Sequence, residues 1–120
     1  MIGYSIDKFV DVNLIHIAAD SVAVNRGYGA FDFFGIINGK PFFLDRHLDR
    51  FFNTMKLLRL RIPHSKQEME QLILSLVKKN GLDEFHMKLF AYPKADYSGE
   101  FINCELYIIP VIIPDNTAYD

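Results

Sequence analysis

Few side chains in this 120-residue chain have both a type and a spacing suited to chemistry. Arg50 carries a planar fork able to give two parallel charge-assisted hydrogen bonds to phosphate oxygens. On sequence alone it reads as a solvated helix charge. At about 100° per residue it lies away from the stripe of Leu48, Phe52 and Met55 and shares its face with Leu57, which predicts partial cover of that face. Phe31 and Phe33, by themselves, read as ordinary core packing. Asp32 alternates with them and points the other way, so it is given no catalytic role. His16, His47, His64 and His86 include no pair at helical i, i+4 spacing and form no metal motif. His47, three residues before Arg50, reads as a structural histidine, with a supporting hydrogen bond as the alternative. Gly27 and Gly29 lack the strand–glycine–helix order and the lysine of a phosphate loop; they read as backbone relief ahead of a strand. Cys104 alternates with Ile102 and Leu106, which predicts a buried and inert thiol.

The elements that must position these residues centre on Asn38-Gly39. Asn-Gly between apolar runs is a strong hairpin signal, because a type I′ turn needs positive φ at both central residues. It predicts a strand over Ala30–Ile37 and a return over Lys40–Phe43. Both faces of the first strand are largely apolar, so it is expected to be central and covered on both sides. The period then changes: Leu44, Leu48, Phe51, Phe52, Met55 and Leu58 share one helical face. Asp45 is the expected N-cap, and the helix is expected to end near Leu60, ahead of Pro63. Ser65-Lys66-Gln67-Glu68 is a capping box. Met69, Leu72, Ile73, Leu76 and Val77 continue it as a core-facing helix, and Asn80-Gly81 stops it. Phe85–Tyr92 and Ile102–Ile109 alternate as strands. Met1–Ile6 and Lys8–Val12 suit a short opening hairpin, and Leu14–Ala19 is strand or irregular. Asp20–Asn25 alternates weakly, and Pro93–Gly99 is turn-rich. The fold class is α+β, with a mainly antiparallel sheet and two helices on one face.

Gly39-Lys40-Pro41-Phe42-Phe43-Leu44, then His47-Leu48-Asp49-Arg50 and Lys56-Leu57-Leu58, resemble the class IV (fold type IV) aminotransferases. That pyridoxal phosphate family includes the branched-chain and D-amino-acid aminotransferases and aminodeoxychorismate lyase. Arg26-Gly27-Tyr28-Gly29-Ala30-Phe31-Asp32 is similar to the family's Gly-x-Gly-x-Phe-Glu segment. The resemblance runs from about Ile2 to the chain end. It implies that Arg50 binds the cofactor phosphate, that Phe31, with Phe33 beside it, faces substrate, and that the protein is a homodimer. The implied chemistry is transamination between an amino acid and a keto acid, with a branched-chain or similar hydrophobic substrate favoured by the two phenylalanines. The same-fold alternative is elimination, as in aminodeoxychorismate lyase. A rival of another class is a non-catalytic module that only binds or associates.

Two positions depart from the family. Gly35 stands where branched-chain enzymes often carry arginine, and Tyr92-Pro93-Lys94 stands where a Thr-Arg-Gly-like segment for the substrate carboxylate is expected. The lysine that attaches the cofactor and the acid that pairs with its pyridine nitrogen belong, in the family, to a second domain. None of Lys8, Lys40, Lys56, Lys66, Lys78, Lys79, Lys88 and Lys94 occupies that lysine's position. The expectation is therefore a small N-terminal domain over residues 1–110, the start of a linker over 111–120, a catalytic domain beyond this chain, and no stable pyridoxal phosphate on this chain alone.

Composition narrows the classes further. The length suits one domain, and with half the residues apolar a packed core is expected. A net charge of −2 argues against nucleic acid or an anionic membrane as partner. A single cysteine excludes an internal disulfide. There is no signal-peptide pattern and no apolar run able to span a bilayer, so a cytoplasmic protein is the expectation.

Overall fold

The structure, a computed structural model, describes residues 1–17, 28–94 and 100–113. The expectations for Asp20–Asn25, Arg26, Gly27, most of the Pro93–Gly99 turn and most of the 111–120 segment fall outside the described residues. Among the described residues, seven strands and two α-helices make an α+β unit: β1 (Ile2–Ser5), β2 (Lys8–Asp11), a 3-10 turn (Val12–Leu14), β3 (Ala30–Ile37), β4 (Lys40–Pro41), α1 (Leu44–Leu57), β5 (Leu60–Arg61), α2 (Lys66–Asn80), β6 (Phe85–Pro93) and β7 (Ile102–Val111). The sheet runs β2-β1-β7-β6-β3-β4. Among the described residues, every pairing is antiparallel except that of β5 with β7.

The β3–β4 hairpin follows from its turn residues. Asn38 and Gly39 have φ of 53° and 71°, the left-handed values a type I′ turn needs. The return strand stops at Pro41, shorter than expected, although the Phe42 N–H still donates to the Gly35 carbonyl. Phe43 then turns left-handed, with φ 52°, and its carbonyl accepts the first helical bond from the His47 N–H. Phe43 is therefore the N-cap of α1, and it offers no side-chain cap. The expected cap, Asp45, lies inside the helix and accepts instead from Lys66 at the start of α2.

Helix α1 ends at Leu57 rather than near Leu60. Arg59 takes φ 57° and reverses the chain, so Leu60 enters β5 beside Ile102 of β7. Helical periodicity could not separate these two outcomes, because Leu60 is buried either way. Helix α2 forms as the capping box predicts: Ser65 accepts from the Glu68 N–H, Glu68 reaches back to the Ser65 N–H, and Gly81 closes it at φ 63°. Asn80 clamps the helix end to β1, accepting from the Ile2 N–H and donating to the Ile2 carbonyl.

Side chains from both helices join one core with the inward face of the sheet. Leu48, Phe51 and Met55 of α1 and Met69, Ile73 and Leu76 of α2 meet Phe34 and Ile36 of β3, and Met87 and Leu89 of β6. The opposite face of the sheet is open along β3, although Tyr107 of β7 on that face is buried. Phe31 is 53% exposed, and the expectation that β3 is covered on both sides does not hold in this chain. Gly29 marks a close approach rather than a phosphate loop: a Cβ there would lie 2.9 Å from the Tyr92 ring. No helix among the described residues is long and apolar enough to cross a membrane.

Candidate functional site

The site begins with a buried acid. Alternation along β3 turns Asp32 inward with Ala30, Phe34 and Ile36, and it is 2% exposed. A carboxylate in that position needs donors, because burial without them costs several kcal/mol or drives protonation. Asp32 has four: Oδ1 accepts from the Phe33 N–H (2.8 Å), His47 Nδ1 (2.8 Å) and Arg50 Nη2 (2.8 Å), and Oδ2 accepts from Arg50 Nε (2.9 Å). Burial pushes its carboxyl up, but the hydrogen bonds from Arg50, His47 and Phe33, together with the charge of Arg50, outweigh burial and hold it below the usual carboxylate range.

Two elements make this cluster. In β3, the Phe33 N–H is on the outer edge. Pairing with β4 there covers only Ile36 and Ile37, so Asp32 folds back on its own strand to satisfy the donor. In α1, His47 and Arg50 are three residues apart and project from neighbouring parts of one surface. The His47 ring also lies against Phe34, with centroids 5.3 Å apart. Because Nδ1 lies 2.8 Å from a carboxylate oxygen, it carries the hydrogen and donates to Asp32.

Arg50 is neither buried nor free. Its Nε and Nη2 edge is engaged by Asp32, while its side chain stays 64% exposed. The expected cover from the Leu57 side is absent, since Leu57 is 75% exposed. The acid pairing is the part that sequence reasoning missed. A usable signal was present: an acidic residue on the inward side of a strand, between apolar neighbours, requires a partner.

Phe31 and Phe33 lie on the open face, as their alternation predicts. There they belong to a row of rings. Phe33 stacks on His86 (5.0 Å, 4° between planes), Phe31 packs on Phe90 (5.2 Å), Phe90 on Tyr92 (5.1 Å) and Tyr92 on Tyr107 (5.9 Å). The register explains the row: Phe31 faces Phe90 on β6, and Phe90 faces Tyr107 on β7. At one end of this face, Gly35, Ile37, His86, Ile112 and Ile113 line an open hollow of about 360 Å³. The structure thus puts Arg50 with Asp32 and His47, and Phe31 with Phe33, in two groups on opposite sides of β3. Among the described residues, no three His, Cys, Asp or Glu side chains are grouped to hold a metal ion.

Sequence and structure comparisons converge on one family. The profile described as amino-transferase class IV matches residues 29–113. The chloroplastic D-amino-acid transaminase of Arabidopsis thaliana is 32% identical over 62 residues, covering 52% of this chain and 17% of that protein. A putative branched-chain-amino-acid aminotransferase of Methanocaldococcus jannaschii is 29% identical over 82 residues, 68% of this chain and 28% of that protein. The aminodeoxychorismate lyase of Bacillus subtilis is 26% identical over 87 residues, 72% of this chain and 30% of that protein. The fold matches the branched-chain aminotransferase of Thermoproteus uzoniensis solved with norvaline, with a TM-score of 0.83 at 18% identity over 96% of this chain and 41% of that one. The chain therefore spans less than a third of the curated relatives it matches.

Proposed function

Because this chain belongs to the class IV aminotransferases, we propose that it supplies the small domain of a cytoplasmic, homodimeric, pyridoxal-phosphate-dependent enzyme. That enzyme moves the α-nitrogen of a branched-chain or similar hydrophobic amino acid to a keto acid. In this reading residues 1–110 form the small domain, residues 111–120 begin the linker, and a second domain completes the site. When bound, the cofactor supplies the electron sink for bond changes at the α-carbon of the amino acid.

The observation that carries the reading is the state of Arg50. It is held in one orientation by Asp32, yet its side chain stays 64% exposed, with N–H groups left over for a phosphate. Arg50 anchors the phosphate, and Phe31 with Phe33 offers an apolar wall that excludes water from the substrate side chain. No residue of this chain is assigned a proton transfer. The match to the lyase over 72% of the chain supports elimination as a second reading, with the same anchor. The homodimer is supported by the open aromatic face and by Leu57, since exposed apolar surface of that extent ordinarily meets a partner.

Cofactor retention tests the reading. In the protein carrying both domains, Arg50→Ala should release pyridoxal phosphate on dialysis about ten- to a hundredfold faster, the scale of a lost charge-assisted hydrogen-bond pair. Lys56→Ala, about a third of a turn round the helix, is the control and should leave release unchanged. The 120-residue chain treated with pyridoxal phosphate and borohydride should show no single lysine adduct at full occupancy by mass spectrometry. Equal cofactor loss from the two variants would remove the role given to Arg50. One specific, fully occupied adduct would overturn the need for a second domain.

A further inference from the structure

We propose that Asp32 is the positioning residue of the phosphate site: it grips one edge of the Arg50 guanidinium and so aims the other edge at a phosphate monoester. The inference rests on reading Arg50 as the phosphate anchor. A guanidinium is planar and presents its N–H groups in paired edges. Asp32 takes the side edge, with Nε to Oδ2 at 2.9 Å and Nη2 to Oδ1 at 2.8 Å. Two parallel bonds fix both the direction and the plane of the group. The end edge is built from Nη1, which has no partner among the described residues, and the second N–H of Nη2, which lies beside His47 Nδ1 at 3.2 Å. That nitrogen already gives its hydrogen to Asp32 and so does not accept from Arg50, and the Arg50 side chain is 64% exposed.

Asp32 can do this because it is itself immobile. It is buried on β3, and its Oδ1 is tied to the Phe33 backbone N–H and to His47 Nδ1, both at 2.8 Å. The grip is therefore anchored to the sheet backbone through the acid, while Arg50 is attached to α1. A flexible arginine would have to be ordered when phosphate binds. Here folding has already ordered it, which lowers the entropic cost of binding.

A competing role predicts the opposite sign. The charges of Asp32 and Arg50 cancel, so an acid acting only as counter-ion would weaken the site's attraction for an anion. Removing its charge would then strengthen phosphate binding. Removing a positioning residue should weaken binding even though a negative charge has gone.

The experiment is a titration of the 120-residue chain with inorganic phosphate, against chloride at matched ionic strength, followed by the arginine side-chain ¹⁵N signals. In the wild type, phosphate should shift the Arg50 Nη signals and leave Nε–H in place on Asp32. Asp32→Asn should bind phosphate about fivefold more weakly, the scale of immobilising one long side chain on binding rather than beforehand. Equal or tighter binding by Asp32→Asn would overturn the positioning role and leave the Arg50 reading intact. Should that variant not fold, the wild type decides: phosphate that moves Nε–H together with Nη is displacing Asp32, and the proposal fails. Arg50→Ala separates the two claims. Followed by the backbone ¹⁵N–H signals of α1, which both proteins have, it should lose the phosphate response; if it binds phosphate as the wild type does, the phosphate-anchor reading itself falls.

Discussion

Asp32 is ionised, buried and bonded on four sides, so its protonation state is tied to folding. Its folded pKa lies below the unfolded value, so its contribution is fully present above the ordinary carboxylate range. That contribution is lost as pH falls from about 4 through the lower folded value. Urea unfolding should show the wild type losing stability over that acid window, with a shallower loss in Asp32→Asn. At neutral pH, Asp32→Ala should cost about 1–3 kcal/mol, because the Phe33 N–H and His47 Nδ1–H lose their acceptor. His64 adds a slope of the same sign at higher pH. Burial lowers its pKa, against a smaller upward pull from Glu68, so its contribution is lost as pH falls from about 6.5 through the lower folded value. Its Nδ1 has no hydrogen-bond partner among the described residues, while Nε2 meets the Tyr4 hydroxyl at 3.1 Å.

Two left-handed residues at helix ends make a matched test. Gly81 closes α2 at φ 63°, and Arg59 follows α1 at φ 57°. Gly81→Ala should lose about 1 kcal/mol in urea midpoint analysis, since a Cβ is strained there although nothing crowds it. Arg59→Gly should gain about 0.5–1 kcal/mol by relieving the same strain. Ser65→Ala should cost about 1 kcal/mol through the lost cap. These positions also show which elements the sequence reveals. Asn38-Gly39 and Ser65–Glu68 are legible because the interaction that stabilises each lies within a few residues. Phe43 is not, because its left-handed turn is imposed by the Phe42 N–H bonding back to Gly35 and by packing of α1 on the sheet. The Asp32–Arg50 pair is illegible for a related reason. It depends on where α1 lands along β3, and the resemblance placed an acid at Asp32 and an arginine at Arg50 without saying that the two meet.

At the scale of the whole molecule, the described residues show one sheet face sealed by both helices and one that is open along β3. Cys104 belongs to the sealed side. Burial pushes its thiol up to about 11, against smaller downward pulls from a backbone hydrogen bond at Arg61 and the charge of Lys94. It should react with a thiol reagent only as fast as the chain unfolds, so labelling rate against urea should track the unfolding transition. The sheet order carries a consequence for the ribosome. The β1–β2 hairpin is the first of the described strands to be synthesised, yet β1 joins the sheet through β7, the last, with Tyr4 opposite Ile108. Non-local pairing of this kind waits for its distant partner. The opening hairpin therefore has no sheet to dock on while α1, α2 and β6 are being made. A nascent chain stalled before Ile102 should stay open to protease at Ile2–Asp11, and protection there should arrive only when Ile102–Val111 has left the exit tunnel.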